Sequence, residues 1–150
     1  MVISKGELRS PCTSLWYLDG TWCPNAPLLP DLENFQAAAE QCGAMDDELA
    51  VRVLIALSVS LYGQGRDDEV LASARQAALR ASGAESIPPG LLSRAWCRLG
   101  EKSWTSLADD EGERALRKSI ALADDAGCHR VSVLGRWDLV RRLYTATDLA

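Results

Sequence analysis

Three acidic triplets are the first residues in this chain whose chemistry suggests a reactive site. Asp46-Asp47-Glu48, Asp67-Asp68-Glu69 and Asp109-Asp110-Glu111 repeat the same three letters within 150 residues. Clustered carboxylates can hold hard cations such as Ca²⁺ and Mg²⁺, and they can act as general acids and bases. Acidic residues also begin helices, where a carboxylate accepts a hydrogen bond from a free backbone N–H group.

The positions of the triplets favour helix starts over a metal site. Each triplet follows a turn and precedes an apolar helical periodicity. Contiguous residues on a helix point about 100° apart, so three adjacent carboxylates make a poor joint metal site. No triplet lies in the pattern of an EF-hand loop, which has an internal Gly and a terminal Glu. We therefore predict that the triplets cap and stabilise helix starts, and that the chain uses no metal and no cofactor.

The cysteines give no metal-binding pattern either. They are widely scattered and form no C-x-x-C pair, whereas structural zinc sites usually contain two closely spaced ligand pairs. We predict reduced, mostly buried thiols; a Cys12–Cys23 bridge and a site made by Cys12, Cys23 and Cys42 are the alternatives. The complete set is Cys12, Cys23, Cys42, Cys97 and Cys128.

The single histidine offers no catalytic partner. His129 adjoins Cys128, and the side chains of adjacent residues diverge, so the two do not easily form a nucleophile–base pair. The patterns GxSxG, GxGxxG, HExxH and the P-loop do not occur. We predict a surface or helix-cap role for His129 and no enzymatic activity for the chain.

Composition and charge suggest a soluble protein. Apolar residues make up 47% of the chain and charged residues 25%, which is ordinary for a globular domain. The net charge of −5 argues against a nucleic-acid surface. The first ten residues, MVISKGELRS, lack the apolar core of a signal peptide, and the most apolar stretch, 49–62, is too short to span a bilayer. We expect a cytoplasmic protein that binds neither membrane nor nucleic acid.

The composition of the sequence changes near residue 30. The segment SPCTSLWYLDGTWCPNAPLLP carries four prolines and an Asp-Gly turn signal, which exclude a long helix. We predict that residues 1–30 form an irregular N-terminal segment packed on the body. We predict that residues 31–150 form a helical domain, because the alternation of apolar and polar residues that is typical of strands does not occur there. The predicted fold class is all-α.

Caps, apolar rows and glycines predict five main antiparallel helices after residue 30, in addition to a first helix that begins at Asp31. Asp31 begins a helix through LENFQAAAEQC that Gly43 ends, and the next helix, up to Tyr62, is apolar nearly all round and should lie at the centre of the fold. The helix from residue 67 to Gly83 carries an alanine face that permits close packing. Ser86 is expected to cap the following one.

The last two predicted helices complete the body. One begins at the third acidic triplet and ends at Gly127. The other runs from Arg130 to Tyr144 and carries an apolar row spaced i, i+4, i+7 and i+11, which is expected to be buried. This row consists of Val133, Trp137, Val140 and Tyr144.

Two helix pairs resemble each other at a spacing of roughly 40–45 residues, which is typical of helical repeat arrays. Within the first pair, LYGQGRDDEVLASARQAAL (61–79) resembles the tetratricopeptide repeat in Tyr62-Gly63, Asp68-Glu69, Ala74 and Ala77. The second segment, SLADDEGERALRKSIAL (106–122), has Leu and Ala in place of the aromatic-Gly step. The spacing also exceeds the standard repeat length of that family.

This resemblance implies antiparallel helix-pair repeats, that is, a tetratricopeptide-like α-solenoid fragment. Extended repeats of this kind are typical of sensor regions in large bacterial transcription activators. The resemblance implies a non-enzymatic protein–protein interaction scaffold or regulatory module that binds a peptide or protein partner. The two-asparagine clamp of some family members is not expected, because the only asparagines, Asn25 and Asn34, precede the first good repeat.

Basic residues on the middle helices are candidates for partner binding. Arg94, Arg98 and Lys102, with Arg114, Arg117 and Lys118, form either a basic patch or ordinary solubilising charge on a solvent-facing surface.

The C-terminal helix offers a second candidate contact. Leu139 and Leu143 lie off its main apolar row, among Arg136, Arg141 and Arg142. They are expected to contact a second copy or the continuation of a longer chain, unless residues 1–30 cover them. The alternative function is a small-molecule-binding or catalytic helical domain with an enclosed polar pocket among the tryptophans.

Overall fold

The computed structural model describes residues 46–62, 65–103 and 110–147, together with the helical positions Asn34, Ala37 and Gln41. These residues form helices and turns without a strand, which confirms the all-α class. Residues 1–30 and most of the helix predicted after Asp31 lie outside the described residues. The described ranges contain α1 (Asp47–Tyr62), α2 (Asp67–Gly83), α3 (Pro89–Lys102), α4 (Glu111–Asp125) and α5 (His129–Thr147).

Consecutive helices pack against each other, and α3 also contacts α1 and α5. Neighbours run antiparallel: Arg80 near the end of α2 pairs with Asp47 at the start of α1. Alternate helices run in the same direction, because Arg98 of α3 bonds to Ser58 of α1, 40 residues earlier. Among the described helices, α3 contacts the four others, whereas the central position predicted for α1 also depends on residues outside the described ranges.

The pattern of apolar residues explains how α1 and α2 pack. In α1, Ala50, Val51 and every residue from Leu54 to Leu61 are buried, as expected for a helix that is apolar nearly all round. The α2 face that contacts it is small: Ala74, Ala77 and Ala78 are fully buried. Small side chains let two helix axes approach closely, so the alanine face has the predicted role.

The contact between α3 and α4 is close enough to require glycine. A Cβ atom at Gly100 would lie 2.5 Å from Leu116 Cγ and 2.9 Å from the Leu116 backbone nitrogen. The buried Ser119 hydroxyl donates to the Ser93 carbonyl across the same interface, at 2.7 Å. Glycine and serine therefore hold these two helices closer than larger apolar residues would allow.

Among the described residues of the three acidic triplets, only Asp46 forms a side-chain cap. Asp46 Oδ1 accepts a hydrogen bond from the Leu49 backbone N–H at 3.1 Å, as predicted for a cap. The α2 helix has Arg66 at its cap position, so Asp67 and Asp68 lie inside the first turn and form no cap. In α4 the cap residue is Asp110, without a side-chain hydrogen bond. Ser86 is likewise not a cap, because Pro88 occupies that position.

Two glycines end helices in the left-handed region. Gly127 has φ of 66°, and the following Cys128 N–H donates to the Ala123 carbonyl at 2.7 Å. Gly65 has φ of 70°, and the Arg66 N–H donates to the Leu61 carbonyl at 3.3 Å. Both turns close in the Schellman pattern, in which glycine avoids the steric penalty of a Cβ atom.

The prediction for the last helix is wrong about which face is buried. Val133, Trp137, Val140 and Tyr144 are between 61% and 67% exposed. The packed face instead carries small and polar residues: Ser132 is buried, and a Cβ atom at Gly135 would lie 3.0 Å from Ile120. The apolar row of α5 is therefore exposed and does not form the face that packs against α4.

Among the described helices, none combines the length and the apolar character that a membrane span requires.

The close packing at Gly100 predicts a large effect of one methyl group. Gly100→Ala should lower the free energy of unfolding by about 1–3 kcal/mol, because the Leu116 backbone cannot move aside without shifting α4. Gly83→Ala is the control: no atom lies within 4 Å of the added Cβ, so this change should raise the free energy of unfolding by about 0.4–1 kcal/mol. Guanidinium denaturation measures both changes, and equal effects would contradict this account of the α3–α4 contact.

The caps predict different salt dependences for two aspartates. Asp46→Ala should cost about 0.5–2 kcal/mol, most of which persists at high salt, because a hydrogen bond to Leu49 is lost. Asp68→Ala should cost about 0.3–1 kcal/mol at low salt and almost nothing at high salt, because only the screened attraction to the helix dipole is lost. Urea denaturation at two salt concentrations distinguishes them. A loss at Asp68 that salt leaves unchanged would show that Asp68 also forms a cap.

Candidate functional site

A groove of about 700 Å³ crosses the three odd-numbered helices. Among the described residues, its lining comes from α1, α3 and α5 and not from α2 or α4. We call this surface the odd-helix groove. Its described lining consists of Ile55, Val59 and Tyr62 from α1; Arg94, Cys97, Arg98, Glu101 and Lys102 from α3; and Arg130, Val131, Leu134, Trp137, Asp138 and Arg141 from α5.

A buried arginine forms the floor of the groove. Arg98 is 6% exposed, and its Nε and Nη2 donate to Ser58 Oγ at 2.8 Å and to the Ser58 carbonyl at 2.9 Å. Its Nη1 pairs with Glu101 Oε2 at 2.8 Å. A buried guanidinium needs such a complete set of acceptors, since an uncompensated charge in the interior is costly. Arg98 thus fixes α1 against α3.

Lys102 lies one turn further along the same floor. Its Nζ is 2.8 Å from Glu101 Oε1 and lies 3.4 Å from the centre of the Tyr62 ring. Burial and the neighbouring Arg98 lower the pKa of Lys102. Burial alone would raise the pKa of Glu101, but the two cations Arg98 and Lys102 outweigh it and leave the pKa lowered. Glu101 is therefore a stable anion that joins both cations.

Asp138 brings a second carboxylate to this cluster from α5. It lines a recess of about 70 Å³ at the end of the groove, along with Tyr62, Glu101, Lys102 and Arg141. Burial and the negative charge of Glu101 raise the pKa of Asp138. Arg141 Nη1 opposes this effect from 3.6 Å. The recess therefore holds one carboxylate that ionises readily and one that resists ionisation.

Cys97, the thiol in the described lining of the groove, is a poor nucleophile. Cys97 is buried, and burial together with the charges of Glu101 and Asp138 raises its pKa to about 12. The nucleophilic form of cysteine is the thiolate, which is scarce at neutral pH when the pKa is this high. Cys97 is free, as predicted, and so is Cys128, which is only half-buried; the other three cysteines lie outside the described residues.

The α5 wall of the groove faces solvent. Trp137 is 63% exposed and Leu134 is 44% exposed, although both line the groove. An apolar wall with this much exposure belongs to a surface groove and not to an enclosed pocket.

The predicted partner-binding residues divide into two groups. Arg94, Arg98 and Lys102 lie together in the groove. The three from α5 do not line it: Arg136 pairs with Asp124 of α4 at 2.7 Å, Leu139 is half-buried, and Leu143 is 43% exposed.

The predicted basic patch does not form as one solvent-facing surface. Arg98 and Lys102 are buried, whereas Arg117 on α4 pairs with Glu113 at 2.8 Å. Lys118 lies 3.9 Å from the centre of the Trp96 ring, which also donates to Ser82. Trp96 is therefore separate from the groove that contains Trp137.

The remaining chemical candidates lie outside the groove lining. His129 is exposed at the start of α5. In the part of the chain that the structure describes, no three His, Cys, Asp or Glu side chains come together as metal ligands.

Sequence reasoning missed Tyr62, Asp138 and the groove-facing row of α5. One signal was present in the sequence: Arg130, Leu134, Trp137 and Arg141 are spaced i, i+4, i+7 and i+11, which places them on one face of a helix. The row escaped notice because Trp137 also belongs to the fully apolar row, which a buried helix would present.

The two carboxylates of the recess predict opposite effects of pH. The pKa of Asp138 is higher in the folded state than in the unfolded state, so ionisation of Asp138 destabilises the fold. This destabilisation grows as pH rises from the unfolded-state pKa to the folded-state pKa of Asp138. Asp138→Asn should therefore raise the Tm at neutral pH, and the gain should disappear in acid. Glu101 has a lowered pKa, so it stabilises the fold above its unfolded pKa and loses this effect as pH falls through the folded value.

Glu101→Gln should accordingly lower the Tm at neutral pH, with a difference that shrinks in acid. Thermal unfolding followed by circular dichroism, from about pH 3 to about pH 8, measures both variants against wild type. A lower Tm for Asp138→Asn at neutral pH would contradict the assignment of Asp138 as the disfavoured anion.

Comparison with known proteins gave no match: no family model, no curated protein and no solved structure is significantly similar to this chain. The geometry of the odd-helix groove is therefore the basis on which a function can be proposed.

Proposed function

We propose that this chain is a non-catalytic interaction module that binds a peptide or protein segment in the odd-helix groove. The observation that carries the proposal is that α1, α3 and α5 line one continuous groove of about 700 Å³ with an exposed apolar wall. Stacked helix pairs create extended binding surfaces of this kind. A protein-binding surface needs bulky apolar anchors within a polar surround, which Trp137 and Leu134 provide.

The spacing of contacts supports a repeat of the tetratricopeptide-like kind. Arg98 bonds to Ser58, 40 residues earlier, and Arg142 donates to the Ser103 carbonyl, 39 residues earlier. Contacts between alternate helices at a nearly constant sequence spacing are what a stacked repeat produces. In this proposal α1–α2 and α3–α4 are two repeats, and α5 is the first helix of a third. We further propose that the module is a cytoplasmic regulatory or sensor element.

The alternative, a small-molecule or catalytic domain, has less support. The groove volume lies within the range of small-molecule sites, about 300–1,000 Å³. However, the α5 wall is exposed to solvent, whereas a small-molecule site encloses most of its ligand. The buried thiol of Cys97, with a pKa of about 12, is also a poor nucleophile.

Selection from a random peptide library tests the proposal without knowledge of the partner. Peptides enriched on the full chain should bind at least about tenfold more weakly to the variant Leu134→Ser, Trp137→Ser, because loss of a buried apolar anchor costs more than about 1.4 kcal/mol. Both side chains are exposed in the free protein, so the variant should fold.

Leu79→Ser is the matched control. Leu79 is 61% exposed on α2 and does not line the groove, so its replacement should change peptide affinity by less than about twofold. The proposal fails if no peptide is enriched. It also fails if the enriched peptides bind the groove variant as tightly as wild type.

A further inference from the structure

The charge of the groove is opposite to that of the protein. The whole chain has a net charge of −5. The described lining of the groove contains five Arg or Lys side chains and two carboxylates, so cations outnumber anions there. This excess comes from two helices, α3 and α5, which form the floor and one wall.

Four of these five cations lie at two depths in the groove. Arg98 and Lys102 are buried and share Glu101, so they mainly hold the floor together. Arg130 and Arg141 lie on the α5 wall, where Arg130 is exposed and the Arg141 side chain is 48% exposed. The wall cations are therefore the ones that an incoming molecule meets first.

The α5 wall has a regular order of charge and apolar surface. Arg130, Leu134, Trp137 and Arg141 follow one another along one helical face. The two arginines are separated by 11 residues, which corresponds to about 16 Å along a helix axis. Two apolar side chains lie between the two cations. A complementary ligand has carboxylates at both ends of this distance and a bulky apolar group between them.

We propose that the partner is an acidic peptide segment of another protein, with apolar anchors between two groups of carboxylates. This inference rests on the proposed function and adds the chemistry of the ligand. Carboxylates pair with the planar guanidinium groups of Arg130 and Arg141, while the anchors pack on Trp137 and Leu134. An extended segment of about five residues or a helix of about eleven covers the row.

Two other occupants fit the charges less well. A nucleic acid would bring a dense row of phosphates to a chain of net charge −5, and to a groove whose recess contains Glu101 and Asp138. A second copy that docked through α5 would place the same cationic row against itself, since a twofold interface joins identical surfaces. An acidic segment with apolar anchors brings neither a dense row of phosphates nor a second cationic row to the groove.

Three synthetic peptides test the chemistry. The first has Glu at both ends and Leu and Trp in the centre, the second has Lys in place of Glu, and the third has Ser in place of the apolar residues. By fluorescence anisotropy on the full chain, the first should bind at least about tenfold more tightly than either of the others. Its affinity should fall as the salt concentration rises.

A charge reversal on the groove wall should reverse the preference. The double variant Arg130→Glu, Arg141→Glu should bind the lysine peptide more tightly than the glutamate peptide. The matched control is Arg114→Glu, Arg117→Glu, which makes the same change of net charge on exposed residues of α4 outside the groove lining. The control should keep the wild-type preference.

Several outcomes would overturn the inference. These are equal binding of the glutamate and lysine peptides, equal loss of affinity in both double variants, and displacement of the peptide by single-stranded DNA. Sedimentation showing a wild-type dimer that the groove variant abolishes would instead assign the groove to a second copy. If library selection returns groove-binding peptides without an acidic bias, the proposed function stands and this inference fails.

Discussion

One buried charge fixes the geometry on which the groove depends. Arg98 lies where α1 and α3 run side by side, and its guanidinium bonds to both the hydroxyl and the carbonyl of Ser58. Removing one partner from a buried ion pair typically costs about 3–5 kcal/mol, because the other charge is left uncompensated. Glu101 then links Arg98 to Lys102. The separation of α1 and α3, and with it the groove floor, follows from this network.

Much of the helical framework could be predicted from the sequence, because local chemistry determines where helices begin and end. Asp46 caps α1 by a hydrogen bond within its own first turn, and Gly127 ends α4 by adopting a positive φ. The alanine face of α2 was also recognisable, since its burial follows from helical periodicity. Asp67 was misjudged because Arg66 occupies the cap position, a shift of one residue that composition does not reveal.

The face that α5 presents could not be predicted by the same reasoning. Periodicity identifies an apolar row, but burial depends on which side the neighbouring helix approaches. Gly135 and Ser132 permit the closer approach to α4, and Ser132 also donates to Asp124 Oδ1 at 2.6 Å. The groove was hidden for a related reason: Arg98 and Asp138 are far apart in sequence, and only the parallel stacking of alternate helices brings them to one site.

The manner in which α5 is attached has a consequence for local unfolding. None of its described apolar side chains belongs to the fully buried core, and its contacts include Arg136 with Asp124 and Arg142 with the Ser103 carbonyl. Such a helix opens at a lower free energy than the core helices, so its amide protons should exchange with solvent first. Because α5 is one wall of the groove, each opening also removes the proposed binding surface while α1 to α4 remain folded. Under the proposed function, occupancy of the groove and protection of the α5 amides are therefore linked equilibria.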